Sequence, residues 1–187
     1  MCDPTRTPRT TCGSEQFVGE LTLAMRRATH DDIDQLCCWE HASHVAPVIG
    51  AGPGWDWENE ISVDWQEVWI AEIGVAKRPI GVAILLDASN DPASYWGSVA
   101  PGTFAIDIWI GAPDAIRQGY GTEMMHFVIA RALDAHDAHR IVIDPLSSNT
   151  AAIAFYQSLG FRKLGPRMFD GELCTVMEWR SPPTSGK

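Results

Sequence analysis

The chain has 187 residues, 45% of them hydrophobic and 20% charged, which suits one folded domain rather than two. Eight tryptophans exclude a compositionally disordered chain. The longest aliphatic run, Val82 to Leu86, is too short to span a bilayer, and residues 1–20 hold no apolar signal core, so a soluble cytoplasmic protein is expected. Cys2, Cys12, Cys37, Cys38 and Cys174 are odd in number, lack zinc-like spacing and read as reduced thiols.

The formal charge of −10 is unevenly placed. Residues 28–116 contain only Lys77 and Arg78 against fourteen acidic side chains, whereas residues 117–187 hold eight basic and seven acidic ones. An acidic field of this kind repels nucleic acid and anionic membranes and concentrates cations. A cationic small molecule is therefore the expected partner, with no nucleic acid and no membrane.

Residues 1–20 and 182–187 read as tails around one domain over residues 21–181. Leu21–Met25 alternates as a strand. Thr29 is placed as a helix N-cap with Asp31 and Asp32 in the first turn, and Leu36 and Cys37 are expected to face the core. Pro47–Gly54 is rich in Gly and Pro and reads as loop. Two strands, Val68–Ile73 and Pro79–Leu86, flank a turn at Gly74–Arg78, and a long polar loop over 87–101 precedes a strand at Phe104–Ile110. Helical spacing follows over Gly119–Leu133, then a short strand at Arg140–Ile143 and a helix over Asn149–Leu159 closed by Gly160. Phe161–Leu164 and Leu173–Trp179 end the domain as strands, with Asp170-Gly171 as a turn signal. The order β, α, loop, β, β, β, α, β, α, β, β implies an α/β (α+β) fold with a mixed central sheet flanked by helices.

Two segments carry chemistry. In Ile110-Gly-Ala-Pro-Asp-Ala-Ile-Arg-Gln-Gly-Tyr-Gly-Thr122 a strand passes through a glycine-containing loop into a helix. Gly119 and Gly121 let successive amides turn toward one point at the helix start, an arrangement suited to a pyrophosphate. In the second, Asp144-Pro-Leu-Ser-Ser-Asn149 leads into Ala152-Ile-Ala-Phe-Tyr156-Gln-Ser-Leu-Gly160-Phe161, and Tyr156 lies two turns from Asn149 on the same side of the helix. Alone, Asn149 is equally a cap and Tyr156 a core residue.

Together these segments resemble the GCN5-related N-acetyltransferase (GNAT) superfamily. That family's Q/R-x-x-G-x-G/A loop grips the coenzyme A pyrophosphate, and its N-x-x-A-x-x-x-Y-x-x-x-G-F segment holds the pantetheine and thioester end. Asn149, Ala152, Tyr156, Gly160 and Phe161 match the second pattern without a gap, while Ile116 stands where the first has Gln or Arg. A narrower resemblance links the chain to aminoglycoside 6'-N-acetyltransferases. Trp39-Glu-His-Ala-Ser-His44-Val45 is similar to their W-L-x-x-x-H-V/I segment, Arg78-Pro-Ile-Gly81 to E-P-I-G, Ala105-Ile106-Asp107 to G-I-D, and Ile143-Asp144-Pro145 with Asn149 to T-D-P-x-x-x-N. Their Trp-Trp-Gly and Tyr-Ala-Gln are here Val48-Ile49-Gly50 and Val82-Ala83-Ile84. Siderophore-pathway acyltransferases share these features more loosely.

The resemblance implies an acetyl-CoA-dependent N-acetyltransferase acting on a primary amine, with an aminoglycoside 6'-amine, and hence antibiotic resistance, as the leading expectation. Acylation of a lysine or N-hydroxylysine intermediate and a non-catalytic acyl-CoA sensor are the alternatives. Asp107 is expected to take the substrate proton and Tyr156 to give one to the leaving thiolate. Acetyl-CoA would be held by Ile108, Trp109, Ile110, Arg117, Gln118, Gly119, Tyr120, Gly121, Thr122, Asn149 and Tyr156. The amine would meet Asp107, Asp144, His44 and the Trp55-Asp56-Trp57-Glu58 cluster. Trp55 and Trp57 equally suit packing on the sheet, and His44 equally suits a buried, hydrogen-bonded position. His136-x-x-His139 has no third ligand, so no metal is expected. Monomer and homodimer remain open.

Overall fold

Runs of β-branched and aliphatic residues pair into one seven-stranded sheet. Its strands are β1 (Leu23–Arg27), β2 (Gln66–Ile73), β3 (Arg78–Asp87), β4 (Thr103–Ile110), β5 (Arg140–Ile143), β6 (Arg162–Phe169) and β7 (Glu172–Arg180). They lie in the order β1-β2-β3-β4-β5-β7-β6. The computed structural model describes residues 23–50 and 54–181. The expected tails at 1–20 and 182–187, positions 21 and 22 of the first expected strand, and 51–53 of the Pro47–Gly54 loop lie outside these.

Neighbouring strands are antiparallel except for β4 and β5. A parallel pair needs a crossover, and the long helix α3 (Tyr120–His136) supplies it. On one face of the sheet α3 and α4 (Thr150–Ser158) cover Ala83, Leu85, Phe104 and Ile106 with Met124, Met125, Val128 and Tyr156. On the other, α1 (Ile33–Glu40) and α2 (Trp57–Ser62) cover Val68, Ile70, Val82, Ile84 and Trp109 with Leu36, Trp39 and Trp57. Burial on both faces explains why β3 reads as a continuous apolar run instead of a clean alternation.

Three local readings change. Cys37 is exposed, because a short 3-10 turn at His30–Asp32 precedes α1 and the buried stripe runs through Leu36 and Trp39. Helix α2 was absent from the sequence reading. It spans only six residues next to a Gly/Pro-rich stretch, and is started by the Asp56 carboxylate accepting from Asn59 N at 3.4 Å. Strand β6 runs to Phe169 instead of ending at Leu164, since it is the sheet's edge, where Pro166 removes no ladder hydrogen bond and exposure hides the period. Asp170 and Gly171 both take left-handed φ, as a two-residue hairpin turn demands.

The feature that positions the site is a divergence between β4 and β5. Only Thr103, Phe104 and Ala105 pair with β5, through Arg140, Ile141 and Val142. Strand β4 then continues through Ile110 alone on that side, so its edge opens into a cleft. The polar loop over 87–101 is pinned beside this opening by Trp96, which is buried with Ala105, Val142, Phe169 and Cys174.

Candidate active site

A cavity of about 540 Å³ occupies the opening between β4 and β5. Asp107, Ile108 and Trp109 of β4, Asp144 after β5, Asn149 at the cap of α4 and Tyr156 within it line it, with Trp55 and Tyr95 contributed by flanking loops. Its wall is rich in carboxylates, and most of these already have partners. Glu40 accepts from Trp55 N at 3.1 Å and from Trp57 Nε1 at 3.0 Å, which anchors the entry to α2. Asp91 accepts from the backbone N of Ala93 and Tyr95, each at 2.9 Å. Glu60 accepts from Gln66 Nε2, and Asp144 accepts from Tyr95 Oη at 2.7 Å. Neither oxygen of Asp107 receives a hydrogen bond within the described residues.

Asp107 projects from the sheet face that carries Trp109, surrounded by protein but open to the cavity. Burial, then the charges of Asp144 and Glu60, push its carboxyl up to about 7. Burial also raises Asp144, to about 6, against the opposing hydrogen bond from Tyr95. The Tyr156 phenol is pushed well above its ordinary value by burial and by the nearby charges of Asp107 and Asp144, so it keeps its proton at neutral pH. A carboxyl that exchanges protons near pH 7 thus shares a cavity with a phenol that retains one. Chemically, such a pair can take up one proton and give up another.

The loop into α3 leaves backbone amides without partners. Gly119 has φ +91° and Arg117 φ +61°, both left-handed, and a Cβ at Gly119 would meet nothing within 4 Å. The amides of Thr122 and Glu123 bond to Gly119 O. Those of Arg117, Gly119, Tyr120 and Gly121 have no acceptor among the described residues. Unpaired donors at the positive end of a 17-residue helix are the kind of group that can hold an anion.

The structure separates the residues read from the sequence into groups. Asp107, Ile108, Trp109, Asp144, Asn149, Tyr156 and Trp55 meet at the cavity, while Arg117 to Thr122 make up the turn into α3, where Thr122 N is already bonded to Gly119 O. Asn149 also caps α4, its Oδ1 accepting from Ala152 N at 3.1 Å. Ile110 lies beyond the cavity wall, at the strand end. His44 is also outside the wall: its Nε2 donates to Ile110 O at 3.0 Å, tying the turn after α1 to β4. Trp57 is 2% exposed in the core between α1, α2 and the sheet, and Asp56 serves as the α2 cap. His136 bonds Glu67 on β2 at 3.2 Å, away from the cleft. Sequence reasoning missed Tyr95, Glu60 and Cys174. An aromatic pair, Tyr95-Trp96, inside an otherwise polar loop was the available signal for the first; Glu60 and Cys174 had none.

The family model described as "Acetyltransferase (GNAT) domain" matches residues 28–169. The chain belongs to the GNAT acetyltransferase family. Among curated relatives, the aminoglycoside N(6')-acetyltransferases type 1 of Klebsiella pneumoniae and Serratia marcescens are each 22% identical over 152 residues, covering 77% of this chain and 76% of theirs. Among solved structures, aminoglycoside acetyltransferase AAC(6')-Ib in complex with coenzyme A superposes with a TM-score of 0.73 at 23% identity, over 85% of this chain and 95% of that one. Spermidine N-acetyltransferase from Vibrio cholerae, in complex with CoA and spermine, gives a TM-score of 0.69 at 15% identity over 84% and 95%.

Proposed function

We propose that this acetyltransferase moves the acetyl group of acetyl-CoA onto a primary amine of a cationic small molecule, with the 6'-amine of an aminoglycoside as the leading substrate. The observation that carries this reading is the placement of Asp107 and Tyr156 in one carboxylate-walled cavity at the open edge of β4. The curated relatives' substrate and the acidic wall both favour a polycationic acceptor.

In this reading the cradle at Arg117–Thr122 takes the pyrophosphate of acetyl-CoA, and the Asn149 side chain and the open β4 edge hold its pantetheine arm. Ile116 replaces the family's Gln or Arg, so the backbone amides carry phosphate binding. The substrate ammonium enters between Trp55 and the carboxylates. Asp107 removes one proton from it, directly or through a water, and the freed nitrogen attacks the thioester carbonyl carbon. A backbone N–H near Ile108 or Ile110 polarises the carbonyl oxygen. As the C–N bond forms the C–S bond breaks, Tyr156 donates its proton to the departing thiolate, and the second proton that the nitrogen sheds on becoming an amide restores the Tyr156 phenol. Holding both reactants in one cleft supplies a large share of the acceleration.

The test is thiol release from acetyl-CoA by the purified protein against kanamycin, tobramycin, amikacin, spermidine, lysine and N-hydroxylysine. Turnover on the aminoglycosides alone supports the leading reading. Turnover on another amine keeps the chemistry and moves the substrate. Acetyl-CoA binding with no turnover on any amine contradicts catalysis and leaves an acyl-CoA sensor.

A further inference from the structure

The loop between β3 and β4 brings into the cavity one side chain that this acid–base scheme does not use. Tyr95 is fixed three ways. Its ring stacks on Phe169 with centroids 4.4 Å apart and planes at 12°. Its carbonyl and that of Trp96 accept from the Arg167 guanidinium at 3.4 and 3.1 Å, and that guanidinium lies 4.4 Å from the Phe169 ring centroid. Its hydroxyl donates to Asp144 Oδ2 at 2.7 Å. The stack and the Arg167 contacts need no phenol oxygen, and Tyr95 is 37% exposed, so filling the core does not account for a hydroxyl here. What the hydroxyl adds is one short hydrogen bond to one particular carboxylate.

We propose that Tyr95 is a positioning residue, whose hydrogen bond keeps Asp144 ionised and aimed into the cavity so that Asp144 holds the substrate cation while Asp107 is left to take the proton. The inference rests on the amine-acetylating reading of this site. Two carboxyls in one poorly solvated cavity resist being charged together, so a division of labour needs something that treats them differently. Around Asp144 stand Asp107 on β4, Tyr156 on α4, Arg167 on β6, Asp170 in the β6–β7 turn and Cys174 on β7. Of these, Asp170 opposes its charge and Arg167 supports it, while Tyr95 provides its side-chain hydrogen bond. Asp107 has no corresponding donor and feels the Asp144 charge directly. Without the Tyr95 hydroxyl, Asp144 takes up a proton at higher pH, and Asp107, facing a neutral neighbour, loses its own more easily.

Tyr95→Phe retains the stack and removes only the bond. In protein carrying ¹³C-labelled aspartate, carboxyl-carbon NMR is expected to show the Asp144 titration moving to higher pH and that of Asp107 moving to lower pH. With an amine that the wild type acetylates, the variant's KM for the amine at pH 6.5 rises roughly tenfold, the scale of a hydrogen bond to a charged group, while kcat changes far less. In an Asp144→Asn background the same substitution is expected to be nearly silent. An Asp144 titration that does not move, or KM effects of the two substitutions that simply multiply, would overturn the proposal. If the wild type acetylates no amine, the functional reading fails by itself, and the NMR titration still decides whether Tyr95 governs Asp144.

Discussion

At the scale of single residues the account stands on Asp107 and Tyr156. In the proposed mechanism Asp107 must be ionised to accept a proton, and burial pushes its carboxyl up to about 7. The acid limb of kcat/KM is therefore expected near pH 7, with activity falling as pH drops through it. Asp107→Asn should lower kcat by about 10²- to 10⁴-fold, the usual contribution of a positioned acid–base group. The same burial has a stability consequence of definite sign. A raised carboxyl means that the folded state binds the proton more tightly than the unfolded chain, so the native protein loses stability as pH rises from the ordinary carboxylate range through 7. Asp107→Asn should accordingly raise Tm at pH 8, with the gain shrinking toward pH 4, as read by thermal unfolding across pH. Tyr156→Phe should depress kcat with little change in acetyl-CoA affinity; unaltered turnover removes Tyr156 from the chemistry. The sequence singled out both of these cavity-lining residues, Asp107 as an acid among Ile106, Ile108, Trp109 and Ile110 and Tyr156 through its spacing from Asn149, each beside the family resemblance. The donor on Asp144 was not, because 49 residues separate it from Tyr95 and only the fold of the 87–101 loop joins them.

At the scale of elements, long periodic segments were legible and short or two-sided ones were not. Helix α3 and the strands β2 to β5 follow their apolar patterns. Helix α2 owes its existence to the local Asp56 cap and to the burial of Trp57, and the latter depends on distant partners such as Trp109 on β4. The Trp55–Trp57 segment shows the same limit within three residues: Trp55 reaches the cavity, while Trp57, stacked on it at 5.3 Å, belongs to the core. Two element-scale predictions follow from local geometry. Gly119→Ala introduces no clash but forces a Cβ into φ +91°, at a cost of about 1 kcal/mol or more. Reorientation of the neighbouring amides should weaken acetyl-CoA binding measured by calorimetry while leaving amine binding intact. Glu67 of β2 gathers Arg131 at 2.7 Å and Arg27 at 3.3 Å, with the Trp69 indole donating to it at 3.0 Å. Burial opposes its charge, but these partners prevail and hold it at about 2. Its folded value lies below the ordinary one, so its stabilisation is present above the normal glutamate range and is lost as pH falls toward 2. Glu67→Gln should cost about 1–2 kcal/mol at pH 7 and much less at pH 2.5, as read by denaturant unfolding.

At the scale of the whole molecule, the acidic middle of the chain and the cleft between β4 and β5 coincide in part. Fourteen acidic residues over 28–116 include Glu40, Glu60, Asp91 and Asp107 on the cavity wall, whereas the proposed site for the acetyl-CoA pyrophosphate lies at the start of α3, where the chain turns nearly neutral. KM for a polycationic amine should therefore rise steeply between 50 and 500 mM salt, while KM for acetyl-CoA stays flatter, because screening weakens the acidic field that gathers the amine. The measurement that tests the central claim most directly is the pH dependence of acetyl-CoA thiol release with the best amine of the panel, for wild type and Asp107→Asn side by side. The account predicts rapid wild-type turnover with an acid limb near pH 7 that is absent from the residual activity of the variant. A variant as fast as wild type, with the same pH profile, would contradict it.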